Sequence, residues 1–333
     1  MIALVLGLLV VSAAVAVFLS NKDSYRTNLA LGQVQENSRI AFELLARDIR
    51  QAGITSCGNA NRVANALSNG TTATATPAWY ADFGNIIRGY DSGTTDPAVE
   101  EHSTISGRRA VVPATGLPAS SSVALLGAAM VSGSIASYSA TSYGFTLTGG
   151  NPGVVAGDIV VICDPDHAVL AQVTSINSGT GELIVNSGTG VTASPGNCSR
   201  GLGFPTLCTT AGNSYSFAVN SMLSPLSAVD WFIGNNPLGG RSLYRRTLVN
   251  VSGTPMPTSQ EMVRNVTDMQ LSYHVAGASS FVTAAAVTTA GAWGTVDAVQ
   301  IVLNLQGSER FAGTNGQPIR RQLSTTVNLR NRS

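Results

Sequence analysis

The chain opens on an uninterrupted apolar run. Residues 1–19, MIALVLGLLVVSAAVAVFL, carry no charge, and twelve of them are Leu, Ile, Val or Phe. A helix rises about 1.5 Å per residue, so this run approaches the ~30 Å thickness of a bilayer core. At about −0.3 to −0.6 kcal/mol per large apolar residue, insertion gains on the order of 4–7 kcal/mol. Leu4, Leu8, Val11, Val15 and Phe18 recur at helical spacing, and other aliphatics fill the remaining sides. A soluble core helix is rarely apolar all round over such a length. A cleaved secretory signal would have a basic region before the run, and here apolar residues continue to Leu19, past the A-x-A-like Ala14-Val15-Ala16. The pattern therefore predicts a membrane-spanning helix over 1–20, with the five residues above as its packing positions.

Proline and turn clusters are both absent where the run meets its polar continuation. From Ser20 to Ala52 good helix formers continue, and the period becomes amphipathic over 21–53. Val34, Ala41, Leu45 and Ile49 form one stripe, interrupted by Ser38, while Gln33, Glu36, Glu43, Arg47 and Arg50 occupy much of the other side. Glu43 and Arg47 at i,i+4, and Glu36 and Arg39 at i,i+3, each add a few tenths of a kcal/mol, by the usual ~0.2–0.5 kcal/mol per pair. Gly53 is a natural helix stop. The pattern predicts one rod of about 75 Å. Its second half rests its stripe on a globular head, and its first half is prepared for lipid or for sister helices. A plain anchor does not need such stiff continuity.

Residues 54–155 lose periodicity and are rich in Gly, Ser, Thr, Ala and Asn; SSVALLGA and YGFTLTG are candidate short strands within a variable, loop-rich region. Over 156–333 the period shifts to two. Met269, Leu271, Tyr273 and Val275 alternate with polar residues, as do Leu323, Thr325, Val327 and Leu329, while Val299, Ile301, Leu303 and Leu305 share one face. With GDIVVIC, AVLAQVTSI, ELIVN, YSFAVN and VDWFIG these predict a mainly antiparallel sheet. The fold class expected is α+β: a long N-terminal helix, half transmembrane and half amphipathic, packed on a β-sheet head with long loops.

Composition narrows the function. Charged residues make up 11% of the 333 and the net charge is +1, which lacks the concentrated basic footprint of a nucleic-acid binder. Arg241, Arg245, Arg246, Arg320, Arg321, Arg330 and Arg332 are read as solvated strand positions, with Arg320 and Arg321 on opposite faces. Four cysteines (Cys57, Cys163, Cys198 and Cys208) form no C-x-x-C pair, and beside a membrane segment they point to two disulfides in an oxidising compartment. Three pairings are open. The favoured one joins Cys198 to Cys208 across a short loop and Cys57 to Cys163 between the helix end and the sheet. Nucleophile elbow, zincin, P-loop and dinucleotide motifs are absent, so catalysis is not expected and no cofactor is implied. Asp164, Asp166 and His167 in CDPDH could approach a metal, but an Asx-Pro turn is the simpler reading and no metal is expected. His102 lies in a polar loop and His274 on an alternating strand.

Four stretches in order resemble the PilW minor pilins of type IV pili. QENSRIAFELLARDIRQAGITSCG resembles that family's helix end running to a cysteine, and GDIVVICDPDHAVLAQVTSI its strand pair around a second cysteine. SLYRRTLVNVSG with EMVRNVTDMQLSYHV resembles its L-Y-R strand and D-M-Q-x-x-Y segment, and IRRQLSTTVNLRNR its closing strand. The resemblance implies a pilin-like fold and a non-catalytic minor pilin that primes pilus assembly or sits in the tip complex, supporting adhesion and twitching motility. Its partners would be other minor pilins and the major pilin, engaged through the N-terminal helix, and a tip adhesin. It would reside in the inner membrane, single-pass with a periplasmic head, and then in the extracellular pilus. Prepilins carry a basic leader, a cleavage site and an early glutamate; the sequence starts at Met1 inside that pattern and is read as N-terminally truncated relative to a prepilin, so no residue here is assigned to processing or to that acid. A J-type minor pseudopilin of type II secretion is the alternative, since it shares the helix physics and the closing signature.

Overall fold

A computed structural model of the protein describes residues 2–57, 62–100, 106–110, 120–130, 133–187, 193–309, 313 and 316–330. The N-terminal half-apolar, half-amphipathic pattern forms one helix, α1 (Ile2–Gln51). It ends at Gly53, which adopts a φ of 78° and donates its N–H to Leu126 O at 2.7 Å. A side chain is disfavoured at that φ, so the glycine closes the helix and passes the chain to the sheet.

The strands are β1 (Val63–Asn65), β2 (Ile87–Tyr90), β3 (Ser122–Ala128), β4 (Gly133–Ser139), β5 (Gly144–Leu147), β6 (Ile159–Cys163), β7 (Ala168–Gln172), β8 (Ser175–Ile176), β9 (Leu183–Ile184), β10 (Met222–Asn235), β11 (Arg241–Val251), β12 (Thr254–Arg264) and β13 (Val266–Val275). A short helix α2 (Ala284–Ala290) then leads to β14 (Val296–Gln306) and β15 (Arg320–Asn328). Pairing is antiparallel throughout except between β1 and β7. The molecule is thus α+β, with a long helix on a mostly antiparallel head.

β10 organises the head. Its first residues pair with β6 and β4, and from Leu226 onward it pairs with β3 and then β11. One strand therefore serves two sheets, and Pro225 stands at the handover. Proline has no N–H to give to a ladder, so it suits the point where one neighbour leaves and the next arrives. Beyond it, β2-β3-β10-β11-β12 pair in turn and are linked through β10 to the earlier strands in a twelve-stranded assembly, while β13-β14-β15 form a separate three-stranded sheet.

Among the described residues two large hydrophobic cores follow from this split, beside a small cluster of Ala98, Val99, Phe232 and Tyr244. The larger joins Val34, Ala41, Leu45 and Ile49 of α1 to Leu125, Trp231, Leu243, Met269, Ile301 and Leu303. The second gathers Ile135, Phe145, Ile162, Val169, Leu183 and Leu223 away from the helix, and the strands around it are the second lobe of the head. Residues 215–220, expected as a strand, run irregularly. Phe217 turns into the second core against Phe145 and Tyr215, and Asn220 takes a left-handed φ of 72° that ends extended pairing. Packing of one aromatic outweighed the alternation there.

Candidate functional site

The chemistry of the candidate site is that of a surface. Every residue of α1 from Ile2 to Tyr25 is exposed, and the helix first buries a side chain at Ala30. Leu4, Leu8, Val11, Val15 and Phe18 are between 50% and 78% exposed, and the first charge along the chain is Lys22. Soluble monomers rarely show contiguous apolar patches beyond a few hundred Å². A continuous helix bare of charge on all sides exceeds that and requires an apolar surrounding. The described structure holds one helix long and apolar enough to cross a membrane, and that apolar window has none of its surface buried in the head. It fits a membrane-anchored protein and a pilin-like arrangement.

The second half of the same helix is fixed to the head. Val34, Ala41, Leu45 and Ile49 are all at most 1% exposed, and Ala30, Ser38 and Ala52 continue the stripe. Each large aliphatic removed from water contributes about 1.5–3 kcal/mol. Ser38, the polar break, satisfies its hydroxyl within the helix by donating to Gln35 O at 2.7 Å. At the upper end Gly307 packs on Ala30, Ser308 Oγ donates to Gln33 Oε1 at 2.5 Å, and Asn37 Nδ2 donates to Arg264 O at 3.2 Å.

Asp48 is the helix-to-head contact that periodicity alone did not single out. It lies on the inward stripe, 6% exposed. Its Oδ2 accepts from Trp231 Nε1 at 3.0 Å and from Arg245 Nε at 2.7 Å. Trp231 and Arg245 are cross-strand neighbours on β10 and β11, so one carboxylate clamps the helix to two strands. The available signal was a lone acid between Leu45 and Ile49 on an otherwise apolar face, which needs a buried partner.

The structure bonds Cys57 to Cys163 and Cys198 to Cys208. The first bridge ties the segment after α1 to the end of β6; the second closes a ten-residue step inside the second lobe. In CDPDH, Asp164 Oδ1 accepts the N–H groups of Asp166 and His167 at 2.9 and 3.1 Å, an Asx turn. His167 is fully buried, its Nε2 on Leu202 O at 2.8 Å and its Nδ1 beside Asp166. Among the described residues there is no group of three or more His, Cys, Asp or Glu that could hold a metal. His274 pairs with Asp297 at 2.6 Å, and this bond raises its pKa above the ordinary imidazole value. Arg241 is buried, Arg245 belongs to the helix clamp, Arg246 donates to Ser259, and Arg320 and Arg321 are exposed on β15. His102 and Arg332 lie outside the described residues.

A family model described as type IV pilus-assembly protein W matches residues 230–331. The matched span begins within β10 and takes in β11 to β15, so it includes Trp231 and Arg245, the head's half of the helix clamp. The L-Y-R strand, the D-M-Q-x-x-Y segment and the closing strand fall inside it. No curated protein and no solved structure matches the chain.

Proposed function

We propose that this chain, whose C-terminal sheets match the PilW family of type IV pilus-assembly components, is a non-catalytic minor pilin that primes pilus assembly or sits in the tip complex. The observation that carries the reading is the division of one unbroken helix. Its second half is locked to the head by an apolar stripe and the Asp48 clamp, and its first half, apolar on every side through Leu19, buries none of that surface in the described head. A helix joined rigidly to its head can leave the bilayer as a unit and exchange acyl chains for sister helices, because both surroundings are equally apolar. The head then stands in the periplasm before assembly and on the fibre after it. Other minor pilins and the major pilin are its partners along the helix, with a tip adhesin above, in support of adhesion and twitching motility.

The helix physics alone would also serve a J-type pseudopilin of type II secretion; the family match favours the pilus. The test is photo-crosslinking from Leu9 and Val15 in cells extruding pili, together with deletion of the gene. Crosslinks to other pilin subunits and a loss of surface pili are expected. Crosslinks to phospholipid alone, or normal piliation in the deletion, would overturn the reading.

A further inference from the structure

The two long outer edges of the head are built differently. β12 pairs with β11 on one side. It carries Pro255 and Pro257, which pair with Asn250 and Leu248 in an unbroken run of the ladder. Prolines two residues apart in such a run turn their nitrogens outward, so the outer edge loses two donors. Glu261 and Arg264 add charge near its far end. These are the usual guards against edge-to-edge pairing. Among the described residues the other terminal strands are short: β1 has three residues, β2 four and β8 two. The outer side of β13 is occupied, by Ser121 N–H on Met269 O and by two bonds between Tyr273 and Val282.

β15 has no proline, and its charges are confined to Arg320 and Arg321 at one end. It pairs with β14 through all nine residues, and among the described residues no strand lies on its other side. Residues 322–328, QLSTTVN, contain neither proline nor charge, and Thr325, Thr326 and Val327 favour extended chain. Leu323 is 36% exposed although its cross-strand partner Leu303 is fully buried. Arg320 and Arg321 stand at one end of this run and Arg330 just past the other. A seven-residue stretch of edge without charge or proline is a template for another strand.

We propose that the outer edge of β15 seats an extended segment of a neighbouring pilin subunit, added as a further strand and bearing acidic residues at the end that meets Arg320 and Arg321. This rests on the pilin reading above. An extended segment is called for because the unpaired groups of an edge are backbone N–H and C=O in strand spacing. Acidic residues at one end follow from Arg320 and Arg321, both exposed at the start of the run. A second copy of β15 is a poor occupant, since parallel or antiparallel pairing would set arginine against arginine. Position supports a neighbour: the loop from β14 to β15 contacts α1 at Ala30 and Gln33, where the exposed half of the helix begins. A subunit packed along that helix is delivered to this edge.

The test uses the full chain in piliating cells, with a photo-crosslinking amino acid placed either at Thr326 or at Leu9 and adducts identified by mass spectrometry. The Thr326 probe is expected to capture a different pilin subunit. Ser324→Lys, which installs the kind of guard that β12 carries, should lower that yield roughly fivefold or more without lowering the melting temperature of the purified protein. Arg320→Glu with Arg321→Glu should also lower it. If Leu9 captures subunits and Thr326 captures none, this inference falls and the pilin reading stands; if neither does, both fall. Capture of a second β15, or an unchanged yield in Ser324→Lys, would also overturn it.

Discussion

At the scale of single residues, buried charge decides more than its small number suggests. Asp48 accepts from an indole and a guanidinium inside the helix–head seam. Removing it leaves both donors without their acceptor, and a lost bond to a buried charged group costs about 1.5–3 kcal/mol, more when a buried pair is broken. Asp48→Ala should therefore destabilise the head by about 2–4 kcal/mol in denaturant unfolding. Asp230 poses the opposite problem. It is fully buried on β10, and neither carboxyl oxygen receives a bond from a donor group of the described structure. Its neighbour is the carboxyl of Asp96, whose oxygens already accept from Ala98 N–H and Ser122 Oγ. Burial, then the charge of Asp96, holds the Asp230 pKa well above the carboxylate range, and the cations Arg109 and Arg246 only partly oppose this. The folded head keeps a proton that the unfolded chain releases above about pH 4. Stability then falls as pH rises through that window, on the order of 1 kcal/mol per pH unit for one proton. Asp230→Asn, an amide that can donate to Asp96 without a proton to lose, should melt higher than the parent at pH 7 and nearly alike at pH 4.

At the scale of elements, the hairpin of β11 and β12 binds the two lobes. Its two-residue turn, Ser252-Gly253, has φ values of 50° and 90°, the geometry that matches strand twist in a tight hairpin. The tip reaches into the second lobe: Asn250 Nδ2 donates to Ala156 O at 2.8 Å, and Ser194 N–H donates to Gly253 O at 3.1 Å. Gly157 makes the approach feasible. It has a φ of 95°, and a Cβ there would lie 2.3 Å from the Gly253 Cα. Gly157→Ala combines a strained backbone with a clash against main chain, so it should cost about 2 kcal/mol or more. The loss should appear as lowered hydrogen-exchange protection at the hairpin tip before any change in α1. The sequence pattern located β6 beside Gly157; of the hairpin, the family resemblance marked β11, and neither marked β12 as a strand. The pattern did not signal that the hairpin would bridge two cores, because that depends on one glycine meeting another ninety-odd positions away.

At the scale of the whole molecule, a covalent bond ties the segment after the helix to the second lobe. The Cys57–Cys163 bridge closes 106 residues, against ten for Cys198–Cys208. In the chain-entropy view the longer ring restrains the unfolded chain more, with gains of about 4–5 and about 3 kcal/mol respectively. Cys57→Ser with Cys163→Ser should thus lower the guanidinium midpoint more than Cys198→Ser with Cys208→Ser. What the sequence determined by itself was periodicity and covalent capacity. The uncharged run, the amphipathic continuation to Gly53, the alternating strands and four cysteines beside an apolar segment all depend on neighbours a few positions apart, and the α+β layout followed from them. The tertiary structure alone decided the rest. It turned Asp48 from a lone acid on an apolar face into a clamp, divided β10 between two sheets at Pro225, drew Phe217 out of a strand, and buried Asp230 against Asp96. Each of these turns on which distant groups share a low-dielectric space, and the burial of a polar atom is set by the neighbours the fold brings to it.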